Sequence, residues 1–270
     1  GNPEALAANR RYIDRDLNRC FTPQLLEDPA PVAREVQRAQ ALLEAYGPSG
    51  AEPCMVALDL HSTTSAMGNS LVVYGRRPAD LALAAGLQAR LGLPVYLHEA
   101  DPSQTGFLVE RWPAGLVIEV GPVAQGLVTA VICRQTQLAL EAALDTLAAA
   151  AAGRLRLPRL LQVHLHHGSL DLPRDAVGVP RAALHPQRQH RDWQALSAGD
   201  PLFWSADGSW QGYRPTADQA AAEARWPVFI NEAAYGEKGI ALSLCRRESW
   251  ACESSWGEAL RALLQRGTPL

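Results

Sequence analysis

Apolar positions along this chain recur at two spacings, and the switches between them mark out its elements. From Met55 the run Met-Val-Ala-Leu-Asp-Leu-His61 is almost wholly apolar, and Ser-Thr-Thr-Ser-Ala-Met-Gly68 follows it. Such a run, stopping at small polar residues, predicts a buried strand that enters a loop. Side chains alternate along a strand, so Asp59 and His61 share one face while Leu58 and Leu60 share the other. Before it, Val32, Val36, Ala39, Leu42, Leu43 and Tyr46 recur at helical spacing and predict a helix over Pro31–Tyr46, with Gly47 to stop it. After it the pattern predicts a strand over Ser70–Tyr74 and an amphipathic helix over Pro78–Leu91 closed by Gly92. A short strand over Pro94–Leu97, an apolar strand Leu116-Val-Ile-Glu-Val120 and an alanine-rich helix over Leu127–Ala152 complete the first half.

The rhythm changes after Gly153. Leu160–His166 alternates at period two, with Gln162, His164 and His166 on one face, which reads as the polar face of a half-exposed strand. Short apolar pieces separated by turn signals follow, among them Gly199-Asp-Pro, Asp207-Gly and Trp226-Pro-Val-Phe-Ile230. The expected organisation is a first domain over residues 1–153, a smaller β-rich domain over 154–242 and a tail over 243–270 with one helical pattern, Glu258–Leu264. The stretch Asn231-Glu-Ala-Ala-Tyr235-Gly-Glu-Lys-Gly239 reads as a polar loop that folds back toward the first domain.

Composition narrows the function classes. The chain has 270 residues, 47% of them hydrophobic and 20% charged, which suits a globular fold with a full core. A net charge of −3 argues against nucleic acid or an anionic membrane as partner. No apolar run approaches the ~20 residues of a membrane span. Five cysteines without a C-x-x-C pair fit a reducing, cytoplasmic setting. The sequence begins at Gly1 without a methionine or a signal-peptide pattern, and is expected to be a piece of a longer protein.

Three stretches carry candidate chemistry. His61 ends a strand, where open α/β sheets place their sites, but one histidine fixes no metal, and it equally reads as a cap on the strand. Glu119 is a carboxylate at the end of a strand covered on both faces, so it must be paired, protonated or used. Around Arg11, Asp14, Asp16, Asn18 and Arg19 the residues suit either a solvated ion-pair network or an anion site, since Arg presents a planar fork that matches a carboxylate.

Taken together, the segments Asn2-Pro3, Arg11-Tyr-Ile-Asp-Arg-Asp-Leu-Asn-Arg-Cys-Phe21, Asp59-Leu-His-Ser-Thr-Thr-Ser-Ala-Met-Gly68, Ile118-Glu-Val-Gly-Pro122 with Gln125-Gly126, and Pro227-Val-Phe-Ile-Asn-Glu-Ala-Ala-Tyr235 resemble the aspartoacylase/succinylglutamate desuccinylase family, in the order that family uses. The serine after His61 looks more like the bacterial members, cyanobacterial ones in particular. The resemblance implies an α/β fold of the zinc-carboxypeptidase kind, a mostly parallel mixed sheet between helices followed by a smaller β-rich domain. It implies amide hydrolysis of an N-acyl acidic amino acid, N-acetyl-aspartate or a relative, assisted by one zinc ion. His61 matches a zinc ligand and Glu119 the catalytic carboxylate that moves the proton of the attacking water. Arg11 matches the arginine that polarises the scissile carbonyl, Asn18 and Arg19 the pair that holds a substrate carboxylate, and Tyr235 a substrate-binding tyrosine. A homodimer is compatible with it.

The sequence departs from the family pattern in two places. The family's other zinc ligands, a His and a Glu in a His-Gly-Asn-Glu-type motif, precede the Asn-Pro segment, and no His-x-x-Glu stands near the start of this chain. The 270 residues by themselves are therefore expected to be inactive for lack of two zinc ligands. Animal members also carry an arginine before the Glu119 strand and a second lysine after the Tyr235 loop, where this chain reads Ser103–Trp112 and Glu237-Lys238-Gly239. Two alternatives accompany the acidic-substrate reading: an aminoacylase of broader specificity, and a metal-free binding protein of the same fold.

Overall fold

The computed structural model describes residues 1–99, 104–216 and 224–266. In chain order the helices are α1 (Pro3–Ala7), α2 (Pro23–Leu26), α3 (Arg34–Tyr46), α4 (Pro78–Leu91), α5 (Ala130–Ala151) and α6 (Ser254–Arg266). The strands are β1 (Val56–Ser62), β2 (Ser70–Tyr74), β3 (Val95–His98), β4 (Ala114–Val120), β5 (Leu160–Leu170), β6 (Ala182–Leu184), β7 (Pro201–Ser205), β8 (Trp210–Gly212), β9 (Trp226–Val228) and β10 (Leu242–Ala251). Seven of these form one sheet in the order β1-β4-β2-β3-β5-β10-β9. Parallel pairs join β1 to β4, β2 to β3 and β3 to β5, while β2/β4, β5/β10 and β9/β10 are antiparallel. A smaller sheet, β6-β7-β8, contributes Leu184, Leu202 and Phe203 to a second core that it shares with Leu242 and Leu244 of β10.

The two faces of the large sheet have different jobs. Leu58, Leu116, Ile118 and Val120 pack with α4, α5 and α6 in the main core, where Trp256 and Leu260 of α6 are buried. Ala57 and Val117 belong to clusters on the other face, which also carries Asp59, His61 and Glu119 by strand alternation. The large sheet thus continues across residue 153 through β5 and β10, and the described part of the tail, to Arg266, packs as α6 on α4 and α5.

Several sequence expectations need correction. The strand into His61 is not fully buried: β1 is the first strand of the sheet order, and Leu60 is 42% exposed. The first long helix starts at Arg34 rather than Pro31, because Ala33 is extended (ψ 127°) and Val32 is left in solvent. Likewise α5 starts after Thr129, whose backbone is extended, and α6 is longer than its apolar pattern. On β5 the histidine face is half-exposed at Gln162 and His166 but closed at His164. His164 is buried against Trp193, and burial, with Arg247 assisting, lowers it to about 4, while His166 Nδ1 lies 2.8 Å from the Tyr96 hydroxyl. Where the sequence predicts an amphipathic helix over Pro78–Leu91, the helix has those bounds and Gly92 closes it at φ 68°, the left-handed geometry that favours glycine, but it is not amphipathic along its length, since Ala79–Leu87 are buried on every face.

Asp80, on the buried side of α4, gives the fold a measurable pH signature. It accepts from Arg77 Nε at 2.6 Å and from the Gly115 N–H at 2.8 Å. Burial nevertheless pushes its carboxyl up to about 6, against the opposing pull of Arg77 and Gly115. A carboxyl with a folded-state pKa above its unfolded one contributes stability that is complete below about pH 4 and is lost as pH rises through about 6. The shift amounts to about 3 kcal/mol. Urea unfolding of wild type and Asp80→Asn at pH 4 and pH 7 should show their stability difference moving against wild type by about that amount. A difference independent of pH would refute this.

Candidate active site

Pairing of β1 with β4 is what creates the site. Their parallel register sets His61 opposite Glu119 and Asp59 opposite Val117. His61 Nε2 lies 2.9 Å from Asp59 Oδ2, and its Nδ1 lies 3.8 Å from Glu119 Oε1. Burial alone would lower the imidazole, but the charge and hydrogen bond of Asp59, with Glu119 behind, hold it at about 9. Glu119 is raised as well, but by burial rather than against it. Burial, with the Glu232 and Asp59 carboxylates, raises it above the usual carboxylate range, and His61 opposes the rise.

The loop after β1 is fixed from two sides. Gly121 lies so close to Thr63 that a Cβ there would stand 2.5 Å from the Thr63 carbonyl oxygen. The Thr63 N–H donates to Val120 O at 3.1 Å, and the Val123 N–H returns to Thr63 O at 2.9 Å. From the other side comes Glu232, a buried carboxylate whose Oε2 accepts from Thr63 Oγ1 at 2.5 Å and from the N–H groups of Thr64 (2.9 Å) and Ser65 (3.2 Å). This clasp folds the 231–239 loop onto the first half, as its polar composition suggests, and brings Tyr235 beside the strand ends.

The segment with the alternating charges closes the remaining side. Glu35 on α3 is buried and accepts from the N–H groups of Ile13 (2.7 Å), Asp14 (3.2 Å) and Arg15 (3.1 Å), so an exposed-looking run of charges is tied down by its backbone. Asp16 holds the Arg11 guanidinium at 3.1 Å and caps the short turn Leu17–Arg19 through the Asn18 N–H. Asn18 is itself buried. Its amide nitrogen lies 3.0 Å from Asp59 Oδ2 and 3.2 Å from His61 Nε2, and its oxygen accepts from the Leu108 N–H at 2.7 Å. Arg19 donates to the Asn18 carbonyl at 2.6 Å and lies 4.2 Å above the Phe107 ring, without a carboxylate partner among the described residues.

All six residues singled out from the sequence, Arg11, Asn18, Arg19, His61, Glu119 and Tyr235, line one cleft. Sequence reasoning did not single out Glu232, Tyr74 or Phe107, which line it too. The Asn-Glu-Ala-Ala-Tyr motif contains Glu232, but only the fold shows that its carboxylate faces three donors on the His61 loop.

A zinc ion is what the family resemblance adds, and the residues present do not make a complete centre for it. One ring nitrogen of His61 is engaged by Asp59 and Asn18, and no group of three His, Cys, Asp or Glu side chains among the described residues is arranged to hold a metal ion. Tight zinc requires three protein ligands in fixed geometry. Metal analysis of the purified 270-residue chain should therefore find far less than one zinc per chain; one equivalent surviving dialysis against a chelator would contradict this.

Comparison with known proteins now bears on the same residues. The model of the succinylglutamate desuccinylase/aspartoacylase catalytic domain matches residues 1–147, and that of the AstE/AspA barrel-sandwich hybrid domain matches residues 159–247. The chain belongs to the succinylglutamate desuccinylase/aspartoacylase family. Within that family it is 60% identical to a probable aspartoacylase of Parasynechococcus marenigrum, over 98% of this chain and 85% of the relative. It is 57% identical to a probable aspartoacylase of a Synechococcus strain, over 98% and 84%. Among solved structures, murine aminoacylase 3 superposes with a TM-score of 0.80 at 31% identity, covering 93% of this chain and 83% of the murine one. Family membership supports hydrolysis of an acyl amide as the class of activity. Among the described residues no helix is long and apolar enough to cross a membrane, and all five cysteines are free thiols.

Proposed function

We propose that this chain carries the catalytic and substrate-binding groups of an amidohydrolase that removes the acyl group from an N-acyl acidic amino acid, N-acetyl-aspartate or a close relative. The carrying observation is the convergence of Glu119, His61, Arg11 and Arg19 on one cleft at the ends of β1 and β4. Glu119 takes the proton of the attacking water at its carboxylate and returns it to the leaving amine nitrogen; its raised pKa suits a group that must hold that proton briefly. Arg11, fixed by Asp16, faces the acyl carbonyl oxygen and stabilises the charge that develops there. Arg19 holds a substrate carboxylate, Tyr235 lies against the bound amino acid, and Asn18 keeps its place in this group by steering His61 and Asp59. Zinc is the cofactor this reading expects, with His61 as one donor; the described residues do not supply the rest.

An aminoacylase of broader specificity is the second reading, supported by the likeness to murine aminoacylase 3. One assay separates the two. The full-length gene product, loaded with zinc, is given N-acetyl-aspartate, N-acetyl-leucine and N-acetyl-phenylalanine. Preference for the acidic substrate is expected. Preference for the apolar ones installs the aminoacylase, and zinc-loaded protein that hydrolyses none of them ends the acylase reading.

A further inference from the structure

Phe229 walls one side of the cleft on a left-handed backbone (φ 53°), and Asn231, two residues on, is left-handed too (φ 56°). Bulky side chains avoid that region, so the surrounding structure must hold the stretch there. Asp192 is the group that does so. It is buried, its Oδ1 accepts from the Ile230 N–H at 3.1 Å, and the Phe229 N–H faces the same carboxylate. No cation pairs with it among the described residues, and burial above all pushes its carboxyl up to about 6. A desolvated carboxylate without a cation is costly, and its effect here is a fixed backbone. The Phe229 ring meets Tyr235 at 5.2 Å and Tyr96 at 5.6 Å, and the chain then turns so that Glu232 reaches the His61 loop. The next residue, Trp193, holds the far end of that loop. Its indole Nε1 donates to the Met67 carbonyl at 2.7 Å, across 126 residues of sequence, while its own N–H donates to Pro227 O at 2.9 Å. Trp193 is also left-handed (φ 62°), and neither it nor Asp192 lines the cleft.

We propose that Asp192 and Trp193 are positioning residues for the hydrolysis: Asp192 fixes the Phe229–Asn231 stretch, and Trp193 fixes the loop that follows His61. This rests on the function proposed above. Glu232 clasps the loop at Thr63–Ser65 and Trp193 clasps it at Met67, so neither end is free to swing away from Glu119. Because the stretch that carries Glu232 is itself held by Asp192, two adjacent residues outside the cleft govern both clasps. A shift of about 1 Å in the reacting groups can cost ~10²-fold in rate, which gives such remote braces kinetic leverage.

The test is steady-state hydrolysis of N-acyl amino acids by the zinc-loaded full-length gene product, with thermal unfolding recorded on the same samples and rates taken well below the midpoint. Asp192→Ala should lower kcat about tenfold or more, with KM moving less than kcat. Asp192→Asn should restore wild-type kcat, because its amide oxygen still accepts from the Ile230 N–H. Trp193→Phe keeps an aromatic ring beside His164 but loses the donor to Met67, and should also lower kcat about tenfold. If Asp192→Ala does not fold, Asp192→Ser takes its place, since its hydroxyl falls short of the Ile230 N–H. A lower unfolding midpoint with ordinary kcat makes either residue a mere packing brace and removes it from the role. A loss in Asp192→Asn as deep as in Asp192→Ala overturns the assignment of the Oδ1 acceptor. Each of these results leaves the amidohydrolase reading standing. Wild type that hydrolyses no N-acyl amino acid removes that reading and this one with it.

Discussion

Glu119→Gln in the full-length gene product should lower kcat for N-acyl amino acid hydrolysis by about 10²–10⁴-fold, the typical worth of a positioned general base. The size follows from where the carboxylate sits. It ends a strand whose seven residues are all buried, and its oxygen faces a histidine ring at 3.8 Å, so solvent cannot readily replace it as proton acceptor. Glutamine fills the same volume and keeps the β1/β4 register, but its amide oxygen is far too weak a base to take a proton from water. Removal of one negative charge leaves Asp59 on the other ring nitrogen of His61, so the histidine keeps its hydrogen-bonded position. KM and zinc content should therefore change little, and the loss should fall on kcat. A variant with ordinary kcat would take Glu119 out of the chemistry. A loss shared between KM and thermal stability would make it a structural carboxylate.

What the sequence reveals, and what it does not, divides along physical lines. Local signals are strong where a run of apolar residues at one spacing meets a clear stop. The stripe Leu81, Ala84, Leu87 with Gly92 behind it defines α4, and the apolar run around Leu71–Val73 defines β2. Alternation within β1 separates Asp59 and His61 from Leu58 because a strand's period is two. Pairing is different, since it depends on residues far apart in the chain. Nothing local shows that His61 faces Glu119 across β1 and β4, that β10 joins the main sheet beyond β5, or that α6 caps the core with Trp256 and Leu260. Six of the lining residues of the cleft are legible only because their segments match a family pattern as an ordered set. Glu232 escapes that reading because its task is to bond backbone, and an acceptor for N–H groups looks in sequence like any loop glutamate. The exposed edge at Leu60 escapes for the opposite reason: an apolar residue signals burial whether or not a neighbouring strand is there to cover it.

The second large effect should come from Arg19. In the full-length gene product, Arg19→Ala should lower kcat/KM for N-acetyl-aspartate by ~30-fold or more, equivalent to about 2–5 kcal/mol for leaving a shielded carboxylate unpaired. Its guanidinium is already placed before substrate arrives. One nitrogen is bonded to the Asn18 carbonyl at 2.6 Å, and the Phe107 ring supports the plane at 4.2 Å, so little side-chain entropy remains to be lost on binding. Arg19 borders two cavities, so a dicarboxylate has room to engage it more fully, and the loss should be larger than for N-acetyl-leucine with its single carboxylate. Arg19→Lys should also be damaging, because a point charge on a flexible stem reproduces neither the fork nor the stacking on Phe107. The pattern across variants is what matters. Loss at Arg19 should extend to both substrates and be worse for the acidic one. If Arg19→Ala hydrolyses N-acetyl-aspartate normally, the cleft does not hold a substrate carboxylate through this residue. The cation over Phe107 would then serve only to pin the Leu17–Arg19 turn against β1, through the same Asn18 that reaches Asp59 and His61.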